Sequence, residues 1–199
     1  MNSRPKKKSV LIVVLVMFGL FTQASNGYVS KNHFVAYIVQ DGKQLPIDQH
    51  VVRVKRAPFD IVIEMQDTEG VFVSGSFHPQ TYNQAIRNIS PEQLPGFSSV
   101  AIYDFWRNPL NEFMIEGVNP NFWFIDSPSK HRFSRYEKVN GSIVAYRTVN
   151  HFYDLVKHEK IEITNVEKPL YITFIKFKAN NEDYRQEELM RHGFKIIWE

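Results

Sequence analysis

The chain has 199 residues, with 24 Lys+Arg against 21 Asp+Glu and no cysteine. That length allows one domain with a substantial core, or at most two small ones, and the lack of any thiol excludes disulfides, thiolate metal sites, cysteine nucleophiles and a lipidated-cysteine anchor. Four of the positive charges, Arg4, Lys6, Lys7 and Lys8, fall in the first eight residues, so the formal +3 becomes −1 for the remainder, and the folded part makes no electrostatic case for nucleic acid.

Residues 1–24 read as a secretory signal: the basic start, a twelve-residue apolar run from Val10 to Phe21, and Thr22-Gln23-Ala24 with small residues at the −3 and −1 positions of a cleavage site. The run is short for a membrane span, which needs roughly 20 apolar residues. The membrane would therefore be involved only through this segment, if it stays attached. An exported domain without disulfides points to the periplasm or exterior of a bacterial cell. Residues 25–199 are expected to form a single β-rich globular domain.

His33 to Val39 reads as a strand and Gln40-Asp41-Gly42-Lys43 as a turn, followed by a strand at Val51 to Lys55. From Phe59 to Met65 apolar and polar residues alternate, and Val71, Val73, Gly75 and Phe77 continue the alternation beyond Asp67-Thr68-Glu69-Gly70. A period of two means a strand with one buried face. A three-residue hairpin loop would set Met65 opposite Val73 and Ile63 opposite Gly75, leaving all the apolar groups on one side.

Residues 78–98 form a polar excursion with three prolines, holding two possible helical turns at Thr81–Asn88. The aromatic centre, residues 100–126, suggests short strands at Val100–Phe105, Glu112–Glu116 and Phe122–Ile125. Asn140-Gly141 is a type I′ turn signal, and the hairpin built on it sets Arg135 opposite Tyr146, Glu137 opposite Val144 and Val139 opposite Ser142. Leu170 to Phe177 is apolar on both faces, as a central strand requires. Asn180 to Asp183 and Arg191-His192-Gly193 look like the two ends of a helix near 182–192, and Phe194, Ile196 and Trp198 alternate in a last strand. The expected fold is mainly β: an antiparallel β-sandwich, Ig-like or transthyretin-like in shape, with the excursion at 78–98 and one C-terminal helix.

Motifs for chemistry are few. The G-x-S-x-G elbow, H-E-x-x-H and the phosphate-cradling glycine loops are absent from the sequence, so no cofactor is implied. His151, Asp154 and His158 would share one side of a helix and could then hold zinc, whereas on a strand His151 and His158 point to opposite faces and the site vanishes. Asp126, Ser127 and His131 hold the residue types of a hydrolase without its spacing rules. Trp106, at a strand end, and Trp123, between Phe122 and Phe124, are the candidate rings for stacking on a sugar or anchoring a protein partner. The expectation is a non-catalytic exported module of the bacterial cell envelope that binds a protein partner or glycan. The alternative is an exported hydrolase or metal-dependent enzyme centred on His151/Asp154/His158 or Asp126/His131.

Overall fold

The computed structural model describes residues 34–66, 71–87, 112–115, 121–123, 125, 133–179 and 186–199. They form thirteen strands and one short helix: β1 (Val35–Gln40), β2 (Lys43–Gln44), β3 (Val51–Val54), β4 (Phe59–Met65), β5 (Val71–Ser76), α1 (Pro79–Ile86), β6 (Glu112–Ile115), β7 (Asn121–Trp123), β8 (Arg135–Val139), β9 (Ser142–Val149), β10 (His151–Asp154), β11 (Glu159–Glu162), β12 (Leu170–Ala179) and β13 (Gln186–Trp198). The strands make two five-stranded sheets, ordered β2-β1-β4-β9-β8 and β3-β13-β12-β5-β7, and a three-stranded sheet β11-β10-β6. None of the three closes into a barrel. Most pairings are antiparallel, but β10–β6 and β13–β3 are parallel.

The expected mainly β, antiparallel architecture is present, and its layers meet in one core. Ile61, Ile63 and Met65 from the first sheet, Val73, Ile172 and Phe194 from the second, and Phe113 and Phe152 from the third belong to the same buried cluster. Ring contacts stitch the sheets together: Phe34 lies 6.5 Å from Phe174, Phe59 6.2 Å from Trp198, and Phe113 and Trp123 meet edge-on at 5.8 Å. Gln40 ties a corner of the first sheet. Its Nε2 donates to the carbonyls of Lys55, Ala57 and Pro58, while its Oε1 accepts from the Lys55 N–H, so the chain between β3 and β4 is held from below.

The hairpin on Asn140-Gly141 forms in the expected register, with both turn residues in the left-handed region (φ +50° and +85°). β12 is central, flanked by β5 and β13. Two expectations are corrected. β4 and β5 do not pair: β4 lies between β1 and β9, and β5 between β12 and β7. Their alternating apolar residues do join one buried cluster, but from different sheets rather than by sharing one. The loop at 67–70 lies outside the described residues.

The second correction concerns the helix near 182–192, because 186–198 is a single long strand. Met190, His192, Phe194, Ile196 and Trp198 point inward at a period of two, and ten residues of β12 pair with β13 along its length. The one described α-helix is instead α1, inside the 78–98 excursion, where Pro79 opens it.

Candidate functional site

A cleft of about 470 Å³ lies between α1 and β13, lined by His50, Tyr82, Ile86, Arg191, His192 and Gly193. α1 has no basic residue in its own last turn. Arg191, reaching from β13, supplies one: its Nη1 donates to the carbonyls of Ala85 (2.7 Å) and Arg87 (2.9 Å). A cation at a helix C-terminus satisfies orphan carbonyls and opposes the helix dipole. The rest of the guanidinium grips the Glu188 carboxylate, Nε to Oε1 at 2.8 Å and Nη2 to Oε2 at 2.5 Å. The charge is thus largely neutralised and acts as a clamp on the cleft wall.

Gly193 forms the floor. A Cβ at this position would lie 2.7 Å from the Ile172 carbonyl oxygen and 2.8 Å from Tyr82 Cε2, so the bare backbone is what lets the Tyr82 ring close onto the strand. Tyr82 rests against Tyr171, with ring centroids 5.3 Å apart, and Lys195 Nζ lies over the far ring. Burial raises the Tyr82 pKa, with the Tyr171 phenol adding to it, so the hydroxyl stays protonated.

His50 forms the opposite wall. It sits in the left-handed region (φ +65°) after Gln49, itself at +47°, and its backbone carbonyl accepts from the Lys195 N–H at 2.7 Å. Its Nδ1 is 3.1 Å from the Gly193 carbonyl oxygen. A carbonyl only accepts, so Nδ1 carries the proton and Nε2 is the other, second ring nitrogen. The His192 ring lies 5.5 Å from that of His50, tilted by 47°. Burial, and then the neighbouring His50, lower the pKa of His192 from 6.5 to about 4, so it is a neutral imidazole at physiological pH.

A second polar group, largely shielded from solvent, lies on the third sheet. In the parallel β6–β10 pair His151 stands opposite Glu112. His151 Nε2 is 3.2 Å from Glu112 Oε1, and its Nδ1 is 2.5 Å from Asn150 Oδ1. Burial raises the Glu112 pKa, while His151, Arg147 and Lys160 pull against it. Arg147, fully buried on the inward face of β9, donates from Nη2 to the Glu112 carbonyl at 2.5 Å and lies 5.6 Å from the Trp123 ring.

The structure redistributes the residues singled out in the sequence. His151 and Asp154 lie on a strand rather than a helix, and His158 sits exposed in the following turn at φ +57°. Asp154 is buried and its Oδ1 accepts from the Val156 and Lys157 N–H groups, so it shapes that turn. Three groups drawn as one ligand set therefore go to three separate tasks, and among the described residues no cluster of three His, Cys, Asp or Glu is assembled. Trp123 is also corrected. It is not on an outer face but fully buried, edge-on to Phe113 and Phe133, because β7 pairs with β5 and turns its alternate side chain into the core. Trp106, Asp126, Ser127 and His131 lie outside the described residues.

His50, Tyr82, Arg191 and His192 were not foreseen as a group. Their spacing, with more than 100 residues between His50 and Arg191, leaves no local signal; the parallel β3–β13 pairing brings His50 to Arg191 and His192, and the docking of α1 on β13 adds Tyr82. The chain matches no protein-family model, and no curated protein or solved structure is detectably similar to it. Among the described residues no helix is long and apolar enough to cross a membrane.

Proposed function

We propose that this chain is an exported, non-catalytic binding module of the bacterial cell envelope that recognises a protein partner or a glycan through the α1–β13 cleft. The cleft carries this reading. Its volume falls within the roughly 300–1,000 Å³ range of ligand pockets, and it combines an aromatic ring, two imidazoles and the apolar Ile86 side chain on one concave surface. Rings of this kind stack on the C–H face of a sugar or enclose an inserted side chain, while imidazole nitrogens and a protonated phenol exchange hydrogen bonds with it. The basic start, apolar run and small residues of segment 1–24 support export.

The test is a titration of the full chain with envelope glycan fragments and candidate partner domains, followed by NMR. A ligand that shifts the His50 and Tyr82 resonances and loses affinity in Tyr82→Ala supports the assignment. Binding that leaves those resonances unmoved, and is indifferent to Tyr82→Ala, refutes the cleft as its seat. The alternative of an exported hydrolase draws support from the Asn150–His151–Glu112 chain of hydrogen bonds, which holds an imidazole as acid–base catalysts require. Turnover of ester or peptide substrates that is abolished in His151→Gln would favour it.

A further inference from the structure

We propose that His50 and His192 bind one divalent transition-metal ion of the zinc or copper(II) class, with its remaining coordination positions opening into the α1–β13 cleft. Three observations converge on this pair. The first is spacing. Imidazole nitrogens bind zinc at about 2.0–2.1 Å, and two rings on one tetrahedral ion have their centroids about 5 Å apart; these two rings are 5.5 Å apart and tilted by 47°, not stacked in parallel.

The second is the partner of the other ring nitrogen. Metal-binding histidines usually donate their second N–H to a carbonyl or carboxylate, which fixes the tautomer and the ring orientation. His50 donates Nδ1–H to the Gly193 carbonyl, so Nε2 carries the lone pair. The acceptor belongs to the residue next to His192, so one stretch of β13 supplies one ligand and orients the other.

The third is rigidity and access. His192 stands opposite Phe174 on the paired strand β12, and His50 is anchored by the Lys195 N–H on its carbonyl. The cavity of about 470 Å³ begins at these rings, leaving room for water or for a donor atom of an incoming ligand. Arg191 also lines it, but its charge is held by Glu188.

Among the described residues no third His, Cys, Asp or Glu joins the pair, so they contribute two nitrogen ligands and leave further coordination positions to water or an incoming ligand. Imidazole-only donors suit zinc, copper(II) and nickel and are poor for the oxygen-seeking magnesium and calcium. An open ion at the floor of a cleft gives a ligand bearing a carboxylate, imidazole or hydroxyl a direct bond to make. The inference stands apart from the partner-binding reading: a metal could bind with no partner ever found, and a partner could bind without metal.

The test is calorimetric titration of the metal-stripped full chain with zinc and copper(II), with electron paramagnetic resonance of the copper form. His50→Asn keeps a residue that accepts the left-handed backbone, and His192→Phe keeps a buried ring. His158→Asn, at an exposed turn histidine, is the control for adventitious surface binding. The expected result is one ion per chain, nitrogen hyperfine structure from two imidazoles, and an affinity loss of about tenfold or more in His50→Asn and in His192→Phe, with none in His158→Asn. The proposal is overturned if zinc and copper(II) do not bind, if bound copper(II) shows no imidazole nitrogen, or if His50→Asn binds as the parent does. Should His192→Phe fail to fold, His50→Asn alone decides.

Discussion

At Gly75 the second sheet presses directly on Phe113 and Ile115 of the third, and replacing it with alanine tests how the core is closed. A Cβ at this position would lie 2.3 Å from Phe113 Cε1, 2.8 Å from Phe113 Cζ and 3.1 Å from Ile115 Cγ2. Ordinary carbon contacts are about 3.5–4.0 Å, so the Phe113 ring must retreat by more than 1 Å. It has nowhere to go: it is fully buried, edge-on to Trp123 at 5.8 Å and to Phe152 at 6.3 Å. Overpacking of this kind costs about 1–3 kcal/mol, and the tightness of the contact puts Gly75→Ala at the upper end. The lower entropy of the unfolded alanine chain offsets about 0.4–1 kcal/mol of it. The net expectation is a loss of about 2 kcal/mol, or about 4–8 °C in melting temperature for a chain of this size, read by urea denaturation and thermal melting. Phe113→Leu should itself destabilise, yet the double variant should be more stable than the two losses added predict, by about 1 kcal/mol or more. A Gly75→Ala protein within 0.5 kcal/mol of the parent, or strict additivity with Phe113→Leu, would refute the close approach of β5 to β6.

Four further outcomes are expected. Arg191→Met removes the clamp on α1 and leaves Glu188 partly buried without its cation; it should cost about 2–3 kcal/mol and raise amide hydrogen exchange in 79–87 before other segments, as mass spectrometry would detect. Trp123→Phe should cost only about 1 kcal/mol by denaturant titration, because the buried indole Nε1 has no acceptor among the described residues and only volume is lost. The Tyr146 phenol, through its hydrogen bond to Glu137 and then burial, is pushed up to about 12. The raised value means that the bond stabilises the fold below pH 10 and is lost as pH climbs from 10 to about 12, and ultraviolet titration of Glu137→Gln should return one tyrosine towards 10. Burial raises the Glu112 pKa, so the folded state favours the protonated acid and loses stability as pH rises through its folded pKa; Glu112→Gln should decline less than the parent between pH 4 and 7 when urea midpoints are compared.

Local chemistry made part of this fold legible and hid the rest. Asn140-Gly141 declares its own hairpin because the turn needs two left-handed residues, and register follows from the turn. Phe59–Met65 and Val71–Phe77 declare strands but not partners: alternation reports which side is dry, and two strands facing across a core satisfy it as well as two neighbours in a sheet. The misread helix at 182–192 has the same origin. Arg191 does serve a helix C-terminus, but that of α1, about 100 residues earlier in sequence. Gly193 is a glycine for the approach of Tyr82 rather than for a helix stop. The inward run Met190, His192, Phe194, Ile196, Trp198 carried the strand signal throughout, and the capping residues masked it. Glu112 was missed beside His151 because a parallel pairing joins residues far apart in the chain without any turn to announce it.

β13 explains why the cleft and the core stand or fall together. At its C-terminal end Trp198 packs on Phe59 and Phe152 and donates its indole N–H to the Lys168 carbonyl, joining all three sheets. Just before its parallel pairing with β3 over Lys195–Trp198, it receives His50 at Gly193. At its beginning, Glu188 and Arg191 hold α1. A shift of β13 by one residue would reverse the whole inward set, because the side-chain period is two, so burial of Phe194, Ile196 and Trp198 fixes the register that sets His192 beside His50. The positions of the cleft residues are therefore set by hydrophobic packing elsewhere on the same strand. Substitutions at the exposed groups, such as His50, are free to change binding while leaving the fold intact, whereas Gly193→Ala should disturb both. Its Cβ would press on the Ile172 carbonyl, which is backbone and cannot swing aside, and on the Tyr82 ring that closes the cleft.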